Sequence, residues 1–420
     1  MTKTRKVLSG AALVLLFAAA EAASLVFRSA LPELPPPDAA GFDRALVKQG
    51  EGLAHIGNCT GCHTMPRGKS FAGGLPLQTP FGTIFSTNIT PARETGIGAW
   101  SREAFVRAMR EGVARDGSFL YPAFPYDHFT NASDGELEAL YAFLMTRPPV
   151  EQRAPDNRLE WPLDHRWMVA GWNLLFLHRG PAEDGERGRA LAEGLAHCGG
   201  CHTPRNRLGA EDTAHTYAGA WTDGWYAPPL DAHSPAAQPW TADELFAYLR
   251  TGLSRTHAAA AGPMGGVTRE LAQAPEADVR AIATYFAGLM KDAPGGRAPL
   301  APIDRRDAVD KAEPEAAALF AGACANCHGP GAPMMQQGRP PLSWGTPLRE
   351  DSPHDTLHLI VGGLASPAGP AGPTMPAFGG DFSDRQIAQI AAYLRARFTD
   401  LPPWQDLEQA VSDIRKGMGQ

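Results

Sequence analysis

Cys59-Thr-Gly-Cys62-His63 is the first of three stretches that share one pattern; the others are Cys198-Gly-Gly-Cys201-His202 and Cys324-Ala-Asn-Cys327-His328. Together they contain all six cysteines of the 420-residue chain. Two cysteines separated by two residues and followed by a histidine are typical of covalent haem c attachment. The thiols bond to the porphyrin and the histidine binds the iron. We therefore predict three covalently bound haem c groups, with these three histidines as iron ligands.

Two other kinds of site use Cys-x-x-Cys pairs, namely redox disulfides and structural zinc sites. Zinc would need cysteine and histidine pairs that converge from two segments, and disulfide exchange gives the following histidine no required role. Three copies that use every cysteine favour haem over both.

Length and composition are those of a globular protein with about three domains. Hydrophobic residues make up 44% of the chain and charged residues 20%, which is ordinary for soluble domains. The net charge of −7 gives no indication of the basic surface that nucleic-acid-binding proteins carry.

The N-terminus predicts export and membrane attachment. Lys3, Arg5 and Lys6 precede an apolar run from Val7 to Phe27 that is interrupted by Glu21. Residues 1–27 are either an uncleaved anchor, which we favour, or a signal peptide cleaved near Ala20-Glu21-Ala22. In both cases the basic end stays in the cytoplasm, and the protein is expected on the periplasmic side of a bacterial inner membrane. Residues 28–40 are proline-rich and predict an extended spacer.

Helical patterns repeat three times. The segments beginning near Ser133, Glu276 and Ser383 each carry an apolar stripe at i, i+3, i+6 and i+7, and each would pack on the helix before its haem motif, as Arg44 to His55 does in the first copy. A shorter helix opens upstream of each, at Trp100-Ser101, Trp240-Thr241 and His354-Asp355. Ser101 and Thr241 are predicted N-caps, and Gly112 and Gly252 are predicted stops.

These repeats predict a mainly α chain of three tandem class I cytochrome c-like domains. The predicted boundaries are 41–150 for domain 1, 151–181 for a connector, 182–292 for domain 2, 293–311 for a linker, 312–400 for domain 3 and 401–420 for a tail. In the connector, the run from Trp167 to Leu177 is too short to span a bilayer, and we expect a buried helix rather than an interfacial patch. In the tail, Trp404, Val411 and Ile414 predict a helix that packs on domain 3 or docks on another subunit.

Methionines are the expected sixth iron ligands in the second and third domains. Met264 and Met375 each follow their haem motif, lie next to proline and precede the last helix of their domain. Domain 1 has Phe124 at the corresponding point, and phenylalanine cannot bind iron. His128 is therefore the first candidate there. The weaker candidates are Met65, Met109 and Met145, and a five-coordinate iron is the remaining option.

The sequence resembles the membrane-associated tri-haem cytochrome c subunits of bacterial periplasmic alcohol, aldehyde and gluconate dehydrogenases. The resemblance covers about residues 42 to 400. Besides the haem motifs it rests on Thr87-Asn-Ile-Thr-Pro91, Gly96-Ile-Gly-Ala-Trp100-Ser101, Cys201-His-Thr-Pro-Arg-Asn206 and Ala261-Gly-Pro-Met264. Arg205 and Asn206 are either close to the second haem or ordinary turn residues.

Within that family, Tyr121-Pro-Ala-Phe-Pro-Tyr-Asp-His-Phe129 and Pro403-Trp-Gln-Asp406 look most like cytochromes that accompany molybdenum hydroxylases of aldehydes or N-heterocycles. The resemblance implies an electron-transfer subunit without a substrate site of its own. It would pass electrons from a catalytic partner, which can include molybdopterin and 2Fe-2S subunits, to ubiquinone or a terminal oxidase. The alternatives are a cytochrome subunit of a quinoprotein or flavoprotein dehydrogenase, a haem enzyme or gas sensor that uses an open first haem, and a soluble carrier cytochrome.

Overall fold

The computed structural model describes residues 26–180, 185–257, 259–291, 299–332, 340–365 and 374–418. These residues are mainly helical, with two small antiparallel sheets. The predicted N-terminal membrane helix lies outside them, apart from its last two residues. Within the described ranges, every helix is too short or too polar to cross a membrane.

The chain divides into two compact units, which are described separately. The first contains the described residues up to Gly185 together with Glu193–His197, and the second contains Glu186–Ala192 and the described residues from Cys198 onward.

The first unit contains two short 3₁₀ helices, Ala39–Gly41 and Arg166–Met168, and the following elements: α1 (Arg44–Ile56), α2 (Cys59–His63), β1 (Pro76–Thr79), β2 (Gly82–Phe85), α3 (Arg102–Glu111), α4 (Tyr126–Phe129), α5 (Asp134–Met145), β3 (Arg158–Leu159) and α6 (Val169–Phe176). The strands form an antiparallel sheet in the order β1-β2-β3, with Leu77 opposite Ile84.

Local sequence explains the helix ends of this unit. Ser101 accepts a hydrogen bond from the Ala104 amide at 3.1 Å, and Gly112 ends α3 with a φ of 63°. Ser133 and Glu136 form a capping box at the start of α5. These residues confirm the predicted cap at Ser101 and the predicted stop at Gly112.

Helices α1 and α5 of the first unit cross closely. A Cβ atom added at Gly50 of α1 would lie 1.9 Å from the carbonyl oxygen of Ala139 in α5. Only glycine allows the two backbones to approach this far. Leu137 and Leu140 of the predicted stripe are buried beside this crossing.

The proline-rich segment 28–40 is bonded to the first unit, because the Leu31 amide donates to the Arg115 carbonyl at 2.8 Å and the Leu34 amide to the Ala99 carbonyl at 3.1 Å. Its role as a spacer stays a prediction. One expectation for the first unit is wrong. The predicted helix in the connector exists as α6 but is not buried. Leu174 and Leu175 are 68% and 64% exposed, because only the opposite side of the helix packs against the unit.

The second unit contains short 3₁₀ turns and the following elements: α7 (Arg187–Glu193), α8 (Gly199–His202), β4 (Ala220–Thr222), β5 (Trp225–Ala227), α9 (Ala242–Thr251), α10 (Gly262–Leu271), α11 (Glu276–Lys291), α12 (Arg306–Ala312), α13 (Pro314–Ala323), α14 (Ala325–His328), α15 (His354–Gly362), α16 (Asp384–Phe398) and α17 (Leu407–Met418). The last residue of α7, Glu193, belongs to the first unit.

The predicted repeat is visible in its helix ends. Thr241 caps α9 by accepting from the Glu244 amide at 3.1 Å, and Gly252 ends that helix with a φ of 69°. Ser383 forms a capping box with Gln386 at the start of α16. These residues repeat the roles of Ser101, Gly112 and Ser133 in the first unit.

The C-terminal tail packs on the core of the α13–α16 region. Trp404, Val411 and Ile414 are buried there, and the indole N–H of Trp404 donates to the Glu350 carbonyl at 3.0 Å. Of the two expectations for this tail, the structure supports packing on the chain's own core.

A hairpin of β4 and β5 joins the two halves of the second unit. The Tyr226 amide donates to Asp355 Oδ1 of α15 at 2.8 Å, and the ring of Trp225 stacks on that of His358 with 4.6 Å between centroids. The hairpin thereby packs residues near the second haem motif against a helix near the third.

Candidate haem sites

Each Cys-x-x-Cys-His stretch forms about one turn of helix. Asn58, directly before Cys59, has a left-handed φ of 47°, and His197, directly before Cys198, has one of 38°. These residues turn the chain from the preceding segment into α2 and α8. In the third stretch the chain passes from α13 through Cys324 into α14 with helical geometry.

Two of the three histidines are held by backbone carbonyl groups. His63 Nδ1 lies 2.6 Å from the Thr87 carbonyl oxygen, and His202 Nδ1 lies 2.7 Å from that of Pro228. A carbonyl can only accept, so Nδ1 carries the proton in both rings and Nε2 keeps its lone pair. A histidine held in this way is oriented to bind a metal through Nε2.

The acceptor Thr87 directly precedes Asn88, which is the centre of a buried hydrogen-bond network. Asn88 is 2% exposed; its side-chain amide donates to the Val150 carbonyl at 2.7 Å, and its Oδ1 accepts from the Thr90 amide at 2.9 Å. This network gives the Thr87-Asn-Ile-Thr-Pro91 stretch a physical role, which is to fix the carbonyl that orients His63. Sequence reasoning missed both acceptors, although Thr87 lies in a stretch quoted above.

His328 has no such hydrogen bond to any residue in the described part of the chain. Burial lowers the pKa of His328, and it also lowers the pKa values of His63 and His202 against the opposing effect of their carbonyl partners. All three imidazoles are therefore favoured in the neutral form, which is the form that binds iron.

None of the six cysteines is paired in a disulfide. Burial raises the pKa of the Cys198 thiol to about 12 and that of the Cys324 thiol to about 11. Within the described ranges, no group of three or more His, Cys, Asp or Glu side chains is gathered as a metal site of its own. The side chains therefore fit haem attachment, with paired thiols beside an imidazole whose Nε2 can face iron.

Met264 lies in the first turn of α10 and is half-buried. Gly262, two residues earlier, has a φ of 51°, and a Cβ atom there would lie 2.5 Å from the Trp225 ring. At the far end of the helix, the Arg250 guanidinium donates to the carbonyls of Leu271 and Ala274 at 3.0 and 2.7 Å. The segment that carries Met264 is thus held at both ends.

Met375 is held by backbone pairing with Leu364, through reciprocal hydrogen bonds of 2.9 and 3.0 Å. Its side chain is half-buried against the core of the α13–α16 region. In the first unit, the equivalent pairing joins Val113 and Phe119.

His128 lies in the short helix α4. Its Nδ1 is 3.0 Å from the Glu193 carbonyl oxygen, and its ring lies 6.4 Å from that of His197. The role of His128 as an iron ligand stays a prediction. Among the weaker candidates, Met109 and Met145 are buried in the core, whereas Met65 is 36% exposed.

Arg205 and Asn206 form a turn beside the second haem motif. The Arg205 guanidinium donates to the carbonyls of Gly200 at 3.0 Å and Gly209 at 2.7 Å, and Asn206 Oδ1 accepts from the Leu208 amide at 2.8 Å. Arg205 therefore braces the backbone between the two cysteines of the motif, while Asn206 makes an ordinary Asx turn.

Comparisons with known proteins show which family the chain belongs to. Residues 311–394 match the family model described as cytochrome c oxidase, cbb3-type, subunit III. A nicotinate dehydrogenase subunit of Pseudomonas putida is 44% identical over 409 residues, which are 95% of this chain but only 34% of that protein. The chain thus spans about a third of the length of that relative.

Two further relatives match over most of their own length. The gluconate 2-dehydrogenase cytochrome c subunit of Pantoea cypripedii is 37% identical over 401 residues, 89% of this chain and 90% of that protein. The fructose dehydrogenase cytochrome subunit of Gluconobacter japonicus is 34% identical over 421 residues, 92% of this chain and 86% of that protein. The chain therefore belongs to the family of cytochrome c subunits of dehydrogenases, which bind haem c covalently and transfer electrons.

Proposed function

We propose that this chain is a tri-haem electron-transfer subunit. The observation that carries the proposal is the pair of Nδ1 hydrogen bonds at His63 and His202, each beside two thiols, in a pattern that occurs a third time at His328. Haem c bound at such a site supplies a reversible one-electron couple. The chain would bond to it through the six thiols, orient the proximal imidazoles and exclude water from them.

Repeated geometry supports three haem domains. In each predicted domain a helix ends at a glycine with positive φ, namely Gly112, Gly252 and Gly363, and a short antiparallel pairing follows directly. In the first two domains the proposed sixth iron ligand follows this pairing along the chain, and in the third domain Met375 is itself one of the paired residues. We propose His128, Met264 and Met375 in this role, with an open first iron as the alternative to His128. We keep the predicted boundaries 41–150, 182–292 and 312–400 for the domains.

The partner proposed for this chain is a molybdenum dehydrogenase that oxidises aldehydes or N-heterocycles. The 44% identity to a chain of a nicotinate dehydrogenase supports it, as does the loop from Tyr121 to Phe129, which lacks methionine. The similarity to the gluconate and fructose dehydrogenase cytochromes keeps a flavoprotein or quinoprotein partner as the alternative. Electrons would leave to ubiquinone or a terminal oxidase, on the periplasmic side of a membrane in which residues 1–27 are anchored.

Haem stoichiometry tests the core of the proposal. Intact mass and the pyridine haemochrome spectrum of the mature protein should both give three covalent haems. Cys327→Ala should still bind three haems, one of them through a single thioether bond. The double variant Cys324→Ala with Cys327→Ala should bind only two haems. A wild-type protein with fewer than three covalent haems would contradict the proposal.

The first haem is tested by low-temperature EPR of oxidised wild type and His128→Ala. We expect one low-spin signal to be lost and replaced by a high-spin signal. Unchanged spectra would exclude His128 as a ligand. A high-spin signal and carbon monoxide binding already present in wild type would favour the haem enzyme or gas sensor.

A further inference from the structure

The β4–β5 hairpin touches the surroundings of both proposed axial ligands of the second haem. Strand β5 ends directly before Pro228, whose carbonyl oxygen lies 2.7 Å from His202 Nδ1 and orients that ring. The same strand begins with Trp225, which packs on the start of the segment that carries Met264. One short strand therefore connects the support of the proximal histidine with the support of the proposed sixth ligand.

The contact between Trp225 and the Met264 segment is tight. Gly262 has a φ of 51°, and a Cβ atom there would lie 2.5, 2.6 and 2.9 Å from three atoms of the Trp225 ring. The indole thus lies directly against the backbone two residues before Met264. By contrast, Cβ atoms at Gly265 and Gly266 would come no closer than 3.6 and 3.8 Å to any atom outside their own stretch of helix. The Trp225 ring is therefore in a position to fix where this segment begins.

Helix α15 holds the Trp225 ring in place. The His358 imidazole stacks on it, with 4.6 Å between centroids and 20° between planes, and His358 Nε2 donates to the Gly224 carbonyl at 3.1 Å. The hairpin is also bonded to Asp355 in the previous turn of α15. Leu357 of the same helix is fully buried in the core of the α13–α16 region, so the support for Trp225 is itself well anchored.

We propose that Trp225 is a positioning residue for Met264, and that His358 holds Trp225 in the orientation that this role requires. The inference rests on the proposed ligation of the second iron by Met264. A thioether is a neutral and weak ligand, so its bond to iron depends on how firmly the protein holds the methionine in place. Residues that orient a metal ligand typically change metal affinity by about 10- to 100-fold. Because His358 lies in the predicted third domain, that domain helps to preserve the ligation of the second haem.

Competition with imidazole tests the positioning role in the haem-loaded protein. Imidazole replaces methionine on ferric haem, and the weak red absorption band of methionine-bound ferric haem reports the exchange. Trp225→Leu should raise the apparent affinity of one haem for imidazole by about 10-fold or more. Trp225→Phe keeps an aromatic ring against Gly262 and His358, and it should restore most of the resistance to imidazole. Pyridine haemochrome spectra check that each variant binds three haems.

Trp221→Leu is the matched control, because Trp221 belongs to the same hairpin but its ring faces His354, at 4.9 Å between centroids. It should bind imidazole as wild type does. An equal rise in affinity in Trp221→Leu and Trp225→Leu would show a general loosening of the hairpin and would overturn the inference, as would wild-type affinity in Trp225→Leu. His358→Ala keeps Trp225 and should give a smaller, few-fold rise. It carries the test if Trp225→Leu does not bind three haems, and wild-type affinity in His358→Ala would then overturn the inference.

Met264→Ala separates this inference from the proposed ligation. In the Met264→Ala background, Trp225→Leu should have no further effect, because the ligand that Trp225 positions is gone. A further effect would overturn the positioning role. If Met264→Ala alone leaves the imidazole affinity of every haem unchanged, Met264 is not an iron ligand and the proposed ligation fails together with the inference. If Met264→Ala raises the affinity but Trp225→Leu does not, the positioning role alone fails, and the haem count still tests electron transfer independently.

Discussion

Replacing Glu350 by glutamine should change how the stability of the second unit depends on pH. Glu350 is 3% exposed and Asp355 is 7% exposed, and the two carboxyl groups interact electrostatically. Burial and the neighbouring Asp355 carboxyl raise the pKa of Glu350 to about 9, and burial raises that of Asp355 to about 6. The Arg395 guanidinium favours the ionised form of Glu350 and so opposes this rise in pKa. Its hydrogen bonds, however, go to the backbone carbonyls of Leu348, Glu350 and Pro402 and not to the Glu350 carboxyl.

The sign follows from proton counting. Near pH 7.5 the folded protein keeps the Glu350 proton, while the unfolded chain, with a carboxyl pKa near its ordinary value of 4.5, has released it. The folded state therefore binds about one proton more, and the free energy of unfolding falls as the pH rises. One proton corresponds to about 1.4 kcal/mol per pH unit, so the loss between pH 7 and pH 8 should be about 1.4 kcal/mol.

Guanidinium chloride unfolding of the haem-loaded protein at pH 7.0, 7.5 and 8.0 measures this dependence. Glu350→Gln should abolish the loss and be more stable than wild type at pH 8, because the amide can donate to Asp355 without ever ionising. Asp351→Asn is the matched control, since Asp351 is an exposed neighbouring carboxylate, and it should keep the wild-type dependence. Identical pH dependence in wild type and Glu350→Gln would refute the reasoning.

Two further variants follow from close contacts and proposed ligation. Gly50→Ala should destabilise the first unit by about 2 kcal/mol or more in thermal unfolding, because the added Cβ would meet the Ala139 carbonyl. Gly135→Ala is the control, because nothing lies within 4 Å of its added Cβ. It should be neutral or slightly stabilising in the same experiment. Met264→Ala should lower the midpoint potential of one haem and leave the other two unchanged in a potentiometric titration, and three unaltered midpoints would exclude Met264 as an iron ligand.

Prediction from sequence worked best where a local pattern has one physical meaning. Ser101, Thr241 and Ser383 begin helices because a hydroxyl before an apolar stripe satisfies free amide groups. Prediction from sequence missed the β4–β5 hairpin, although Asp223-Gly224 between strand-forming residues is a strong hairpin signal. It also misjudged α6, because an apolar run does not tell whether protein or another environment covers its outer face.

The chain by itself determined the haem chemistry and the repeat. Two thiols and an imidazole within five consecutive residues must lie close together whatever the rest of the fold does. Tertiary structure alone decided which carbonyls orient His63 and His202, since Thr87 and Pro228 reach them only when loops close over 24 and 26 residues. It also decided that Glu350 meets Asp355 in a buried site and that Leu174 and Leu175 face outward. These properties depend on contacts between distant segments, and the free energy of such contacts is not encoded in any local spacing.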